Sequence, residues 1–318
     1  MKYREQIFRR PNLLAILVLP FVAASFASST HAQQCTVKPA AISLGQAVRL
    51  RCEAPAATAR LNENVSAHQD EHPSEHLNGQ VDEHPNGRTV RLFRQESGDW
   101  EGLLPIAVED TPGTYPVAFL AEDGSTLASV NLTIRKTIFP TQNVVLAPQI
   151  EALHTTTEER QTLTTFRDSV SDVKYWDDPL VAPLPGCVIS PFGVKRLHNG
   201  KPTGEIHAGI DQRGAAGTPI RAVAAGVVKI VQPFNVLGGT VAIDHGQGLE
   251  TMYLHMSKLN VEPGDHVKKG DVIGYVGSTG RANGPHLHWV VYVNGVPQNP
   301  QQWVTLKSCT APKKRNPK

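Results

Sequence analysis

Short runs in which apolar and polar residues alternate fill most of the chain, and this period of two is typical of β-strands with one buried face. Such runs, separated by Gly, Pro and Asp turns, occupy residues 35–135 and again residues 187–306. Only residues 148–170 space their apolar side chains with a helical period among charged residues. The pattern therefore predicts a mainly β protein with two β regions and a partly helical connector between them.

The first β region, residues 33–135, is predicted to be an immunoglobulin-like β-sandwich. Its turn at 110–115 resembles the tyrosine corner of that fold. One feature departs from the fold, because Val117 stands two residues after Tyr115, where a cysteine usually joins the two sheets.

A polar, histidine-rich insertion is predicted inside this region at residues 58–88, where Asp-Glu-His-Pro occurs twice. Its four histidines could hold a metal loosely, or the segment could be a polar surface loop, and its composition favours the loop. The four histidines are His68, His72, His76 and His84.

Residues 136–182 are predicted to be a connector that either spaces the two β regions or lays a segment over an active cleft. Spacing is the simpler reading. Residues 183–310 are predicted to form an antiparallel β domain because their strands are short, dense in glycine turns and almost free of helical periodicity. The basic residues 311–318 are most simply a solvated terminus.

The first 32 residues have the pattern of an export signal, a basic leader followed by an apolar run and small residues. Pro20 interrupts the apolar run, which is short for a membrane span, so we expect removal rather than stable anchoring. Twin-arginine export and a lipoprotein anchor at Cys35 fit the residues less well. The predicted location is periplasmic or extracellular.

Export permits oxidation of the four cysteines, for which three pairings are formally possible. We favour Cys35–Cys52 as a local link and Cys187–Cys309 across the ends of the second domain. The second bond would close a loop of roughly 120 residues, which corresponds to about 4–5 kcal/mol of stabilisation from lost chain entropy.

The charge is nearly balanced, with 31 basic and 29 acidic residues, so it gives no argument for a nucleic-acid partner. The candidate chemistry lies elsewhere, in the apolar run at 286–292. Strand parity places His286 and His288 on one face, while Leu287 and Trp289 point to the other face, where they can be buried. Two imidazoles side by side on a rigid strand suit a metal better than a core.

Two further stretches of the second region add groups of the same kind. His207 and Asp211 stand four residues apart, and Tyr253 and His255 are expected on one strand face with Thr251. A catalytic zinc ion takes three protein ligands and keeps a position open for water, and His and Asp are suitable ligands. Each motif alone is weak evidence for a site, but the motifs together in one β domain predict a metal site.

These motifs resemble those of the M23 family of zinc metallopeptidases, the lysostaphin/LytM type, over residues 187–304. The resemblance implies one Zn²⁺ ion held by His207, Asp211 and His288, with His255 and His286 as catalytic histidines. It leaves open which histidine is the base and which stabilises the oxyanion. Tyr253 either supports His255 or is a packed core residue. The motifs are Ser-Pro-Phe-Gly at 190–193, His-Ala-Gly-Ile-Asp at 207–211, Gly-Thr-Pro-Ile at 217–220, Asp-His-Gly at 244–246, Tyr-Leu-His at 253–255, Gly-Ser-Thr-Gly at 277–280 and Gly-Pro-His-Leu-His-Trp at 284–289.

The function that the resemblance implies is an exported zinc metalloendopeptidase that hydrolyses peptide bonds in peptidoglycan. The alternative is a non-enzymatic LytM-type module that binds the wall or activates another hydrolase, although such modules typically lack part of the ligand set. A biotinyl or lipoyl carrier domain is disfavoured, since residues 264–274 lack the hairpin tip that carries a modified lysine. No pattern in the sequence specifies an oligomeric state.

Overall fold

The computed structural model describes residues 34–62 and 87–309, and these residues are mainly β. The predicted signal at 1–32, the four histidines of the polar insertion and the basic tail at 311–318 lie outside the described residues. Within the described ranges, no helix has the length and apolar character needed to cross a bilayer.

The first region is a two-sheet sandwich, as the alternation predicts. One sheet has the order β1-β3-β7-β6 and the other β2-β9-β8-β4-β5. Leu50 and Leu104 from the first sheet pack in one core with Phe119 and Leu132 from the second. The strands are β1 (Cys35–Lys38), β2 (Ala41–Ser43), β3 (Ala47–Cys52), β4 (Thr58–Leu61), β5 (Arg88–Arg91), β6 (Phe93–Arg94), β7 (Trp100–Pro105), β8 (Gly113–Leu120) and β9 (Thr126–Arg135).

The predicted tyrosine corner is present, because the Tyr115 hydroxyl donates to the Thr111 carbonyl at 2.8 Å. The immunoglobulin-like assignment of the sandwich stays a prediction.

The boundaries predicted for the polar insertion need a correction. Residues 58–61 are not part of it but form strand β4, which pairs with both β5 and β8. Ala59 and Leu61 alternate inward on this strand and are buried, a signal too short to stand out beside the polar run that follows. Residues 63–86 lie outside the described part of the chain.

The connector contains strand β10 (Thr141–Val144) and helices α1 (Pro148–Glu151) and α2 (Thr157–Arg167). Helix α2 begins at a capping box, in which Thr156 Oγ1 accepts from the Glu159 N–H and Glu159 Oε2 accepts from the Thr156 N–H. Phe166 on α2 is buried against the second β region beside Val290. The predicted helices are confirmed, and they pack against the domain that follows.

The second region is built on one large antiparallel sheet with the order β11-β14-β21-β18-β17-β16-β19, which confirms the predicted antiparallel domain. Its strands are β11 (Val188–Ser190), β14 (Ile210–Arg213), β15 (Pro219–Arg221), β16 (Gly226–Phe234), β17 (Gly238–Gly246), β18 (Leu249–Leu259), β19 (His266–Val267), β20 (Val272–Val276), β21 (His286–Val293) and β22 (Val296–Gln298). A 3₁₀ helix follows at Pro300–Gln302.

A small three-stranded sheet stands beside the large one and includes the connector. It has the order β10-β12-β13, where β12 (Lys195–His198) and β13 (Lys201–Ile206) form a hairpin and β10 joins β12 in parallel. The connector therefore contributes a strand to the structure around residues 195–206.

Both favoured disulfide pairings are confirmed. Cys35 is bonded to Cys52 within the sandwich, and Cys187 is bonded to Cys309 across 122 residues. The second bond ties the start of β11 to the last described residues of the chain.

Candidate metal centre and active site

The register of two strands brings the predicted metal ligands together. Strands β14 and β21 pair antiparallel with Asp211 directly opposite His288. Gly209 permits this approach, because a Cβ at that position would lie 2.3 Å from the Trp289 carbonyl oxygen. His207 precedes β14 by a few residues, so its ring reaches the same place.

The three ligand atoms form a compact triangle. His288 Nδ1 lies 2.8 Å from both Asp211 Oδ1 and His207 Nε2, and His207 Nε2 lies 3.1 Å from Asp211 Oδ1. Tetrahedral ligands at about 2 Å from a zinc ion are about 3.3 Å apart, close to these separations. The set of two imidazoles and one carboxylate therefore fits a zinc-type ion in both chemistry and spacing.

Backbone carbonyls fix the tautomers of three of the histidines. His207 Nδ1 lies 2.9 Å from the Pro191 oxygen, His255 Nδ1 lies 2.8 Å from the Thr279 oxygen, and His286 Nδ1 lies 2.8 Å from the Gly284 oxygen. A carbonyl only accepts, so each neutral ring carries its hydrogen on Nδ1. Each Nε2 then presents a lone pair, which suits a metal ligand or a general base.

Strand parity holds for β21 and places its two histidines as predicted. Leu287 and Trp289 are fully buried in the core on one face of the sheet. His286 and His288 lie on the opposite face, in the same direction as Val290.

The regular alternation of side chains between the two faces is interrupted on the neighbouring strand β18. The prediction that Tyr253 and His255 share a face is therefore wrong. Gly239 pairs with Met256 while Val241 pairs with Tyr253, so β18 contains one extra residue between these points. His255 lies in this bulge with a left-handed backbone, φ 61°. The bulge turns its ring toward His286, with the ring centres 5.0 Å apart.

Tyr253 remains on the other face and is a packed core residue rather than a support for His255. Its hydroxyl accepts from the Val223 N–H at 3.1 Å and lies 3.1 Å from Thr251 Oγ1. Burial raises the pKa of this phenol to about 12. The core reading of Tyr253 is therefore the correct one.

The protonation states suit the proposed ligands. Burial would raise the pKa of the Asp211 carboxyl, but the neighbouring His207 and His288 rings, when protonated, bring this pKa well below its usual range. Burial lowers the pKa of His288 to about 4. Burial, with the charges of His286 and His288, lowers the pKa of His255 to about 3. At neutral pH these groups are a carboxylate and neutral imidazoles.

Sequence reasoning missed the groups that surround the ligands. Arg196 on β12 forms a salt bridge with Asp211 at 2.8 Å, and Gln142 on β10 accepts from Arg196 at 2.9 Å. The position of Arg196 between two site motifs was a signal that could have been used. The sequence contains no comparable signal for Gln142, because only the pairing of β10 with β12 brings it next to Arg196.

Comparisons with known proteins give a family match over the segment that contains the site. The Peptidase family M23 profile matches residues 205–300. The DD-carboxypeptidase/endopeptidase Mpg of Neisseria meningitidis is 45% identical over 113 residues, which are 36% of this chain and 26% of that protein. The peptidoglycan DD-endopeptidase ShyC of Vibrio cholerae is 42% identical over 116 residues, with the same two shares. The chain thus spans about a quarter of the length of the curated relatives it matches.

A solved structure extends the likeness beyond the matched segment. The crystal structure of a peptidase M23 protein from Pseudomonas aeruginosa superposes with a TM-score of 0.53 at 29% identity, covering 68% of this chain and 84% of that chain. This share is larger than residues 205–300 alone, so the likeness includes part of the chain outside the matched segment. From the profile match, the sequence identities and this shared fold we conclude that the chain contains a peptidase domain of family M23.

Proposed function

We propose that the chain is an exported zinc metalloendopeptidase that hydrolyses peptide bonds in peptidoglycan. The observation that carries the proposal is the convergence of five groups on one face of the large sheet. His207, Asp211 and His288 form the ligand triangle, and His255 and His286 stand beside it.

The ligand roles follow from the donor atoms. The unprotonated His207 Nε2, Asp211 Oδ1 and His288 Nδ1 would hold the ion. Zinc, when bound, supplies Lewis-acid chemistry that activates water and polarises a scissile carbonyl.

The catalytic roles fall to His255 and His286, whose rings lie together beside the triangle. Each is oriented by a carbonyl at its Nδ1, so each directs Nε2 away from that anchor. One such nitrogen can accept a proton from water and later return it to the leaving amine. The other, when it carries a proton, can donate to the oxyanion that forms at the cleaved carbonyl.

The substrate class rests on the relatives. Mpg is described as a DD-carboxypeptidase/endopeptidase and ShyC as a peptidoglycan DD-endopeptidase. The segment of this chain that matches the peptidase family, residues 205–300, contains all five groups. The apolar leader and the two disulfides agree with an oxidising compartment outside the cytoplasm, where peptidoglycan is accessible.

The non-enzymatic alternative is not favoured by any feature of the site. A wall-binding module needs neither a complete ligand set nor two further histidines with fixed tautomers. All five positions are filled here, and their side chains meet.

The test is digestion of purified sacculi by the mature chain, followed by mass spectrometry of the released fragments. We expect fragments from cleaved peptide bonds, loss of cleavage in a zinc chelator, and recovery when zinc is restored. His286→Ala should abolish cleavage, whereas His266→Ala, which changes an exposed histidine on β19 of the same domain, should not. Full cleavage by His286→Ala, or in the chelator, would refute the proposal.

A further inference from the structure

The two oxygens of the Asp211 carboxylate face different partners. Oδ1 faces His207 and His288 in the ligand triangle. Oδ2 accepts a hydrogen bond from Arg196 Nη2 at 2.8 Å. Both side chains of this pair are largely buried, with 13% and 12% of their surface exposed. The contact therefore determines which carboxylate oxygen is free to bind an ion.

Arg196 is itself held by a residue of the connector. Gln142 on β10 is the direct neighbour of Arg196 on β12 in the parallel pairing. Gln142 Oε1 accepts from Arg196 Nη1 at 2.9 Å and from Ser190 Oγ at 2.7 Å. Because a guanidinium only donates, the amide must turn its oxygen toward Arg196.

We propose that Arg196 is a positioning residue for the metal centre, and that Gln142 positions Arg196 in turn. The inference rests on the proposed metal site and extends its support beyond the peptidase domain. Gln142, Ser190 and Arg196 all precede the segment 205–300 that matches the family. The connector then supplies part of the outer support of the ligands, rather than only joining two domains.

Two physical effects of Arg196 on a bound cation have opposite signs. Its positive charge repels the cation, which weakens binding. Its hydrogen bond holds Asp211 in the orientation that binds the cation, which strengthens binding. Changes in the partners that orient metal ligands typically cost 10–100-fold in metal affinity. We infer that the orienting effect is the larger one, so removal of the guanidinium should weaken zinc binding.

The test measures the zinc affinity of the full mature chain by competition with a chromophoric chelator, after metal removal by dialysis. Arg196→Met should bind zinc about 10–100-fold more weakly than the wild type. Arg196→Lys keeps the positive charge and N–H donors on a single nitrogen, and it should recover part of the loss. Arg221→Met is the matched control, because Arg221 is exposed and its guanidinium donates to the Gly270 carbonyl, away from the ligand triangle.

The connector residue is tested with a double-mutant cycle. Gln142→Ala should weaken zinc binding less than Arg196→Met, because Arg196 keeps its bond to Asp211. The double variant should bind no more weakly than Arg196→Met alone, since Gln142 acts through Arg196. Additive losses would contradict the proposed order of support.

Unchanged or tighter zinc binding by Arg196→Met would overturn the inference. If that variant does not fold, Arg196→Lys and Gln142→Ala decide the matter, and unchanged affinity in both would overturn it equally. A wild-type chain that neither binds zinc nor cleaves sacculi refutes the proposed function instead. The two failures are therefore distinguishable.

Discussion

At the residue scale, the buried histidines His245 and His255 differ in how many of their ring nitrogens have hydrogen-bond partners. His245 lies in the core with Nδ1 at 2.7 Å from the Ala225 oxygen and Nε2 at 2.7 Å from Thr251 Oγ1. Both ring nitrogens are thus occupied by partners in the fold. Among the residues that the structure describes, His255 has a hydrogen-bond partner only at Nδ1, the Thr279 oxygen, and its ring faces His286. The first is structural and the second is available for chemistry.

The buried His245 should make the fold sensitive to acid. Burial lowers the pKa of His245 to about 4, below its ordinary 6.5. Between these two pH values His245 is protonated in the unfolded chain but neutral in the folded chain. The free energy of unfolding therefore decreases as the pH falls from 6.5 to about 4. The total loss is about 3 kcal/mol. We expect His245→Gln to show a shallower decline of the free energy of unfolding over this window.

The measurement is urea unfolding of both metal-free proteins in a chelator at several pH values. The chelator prevents loss of zinc in acid from adding to the slope. Parallel declines in the two proteins would show that His245 is already protonated in the fold.

At the element scale, the sequence predicted the strands and the two faces of β21 better than the bulge in β18 that lies beside the candidate site. The alternation around His286 and His288 is regular, so parity assigned both faces of β21 correctly. The extra residue in β18 is specified by pairing with β17, which no local pattern of residues 249–259 reveals. The contact of Gln142 with Arg196 could not be predicted for the same reason, because it depends on a parallel pairing between segments more than 50 residues apart.

Helix α2 should contribute to the stability of the peptidase domain rather than act as a spacer. Phe166 is 4% exposed and packs with Met252, Leu254 and Val290, on the sheet face that carries the site. Truncation of a buried phenylalanine typically costs 3–5 kcal/mol. We expect Phe166→Ala to lower the free energy of unfolding by about 3 kcal/mol or more.

Denaturant unfolding followed by tryptophan fluorescence measures this loss. Val170→Ala is the matched control, because Val170 follows the same helix and is exposed. If Phe166→Ala is no less stable than Val170→Ala, the connector is only a spacer.

At the scale of the whole molecule, the sandwich and the peptidase domain are joined more closely than their sequence patterns indicated. Ala47 of the sandwich exchanges two hydrogen bonds with the Gln302 side chain, and the Arg49 guanidinium lies over the rings of Trp176 and Trp303. The alternation of apolar and polar residues predicted two β regions and a connector, but it contains no information about which surfaces meet. The contacts make the sandwich part of the structure that supports the peptidase domain.

The long disulfide should stabilise the whole molecule more than the short one. Cys187–Cys309 spans 122 residues and Cys35–Cys52 spans 17. Lost chain entropy predicts about 4–5 kcal/mol for the longer loop and about 3 kcal/mol for the shorter. Paired serine substitutions at each bond, compared by denaturant unfolding, check this order, and a larger loss for the Cys35–Cys52 pair would contradict it.

We propose that His286 and His288, which share one face of β21, have different roles, the first catalytic and the second as a metal ligand. The structure makes this a sharp question, because His286 Nε2 lies 3.7 Å from Asp211 Oδ1 while His288 Nδ1 lies 2.8 Å from it. The most direct test is the zinc content per chain of the wild type, His286→Ala and His288→Ala after identical dialysis. We predict about one zinc in the wild type and in His286→Ala, and almost none in His288→Ala. Zinc retained by His288→Ala, or lost from His286→Ala, would contradict the assignment.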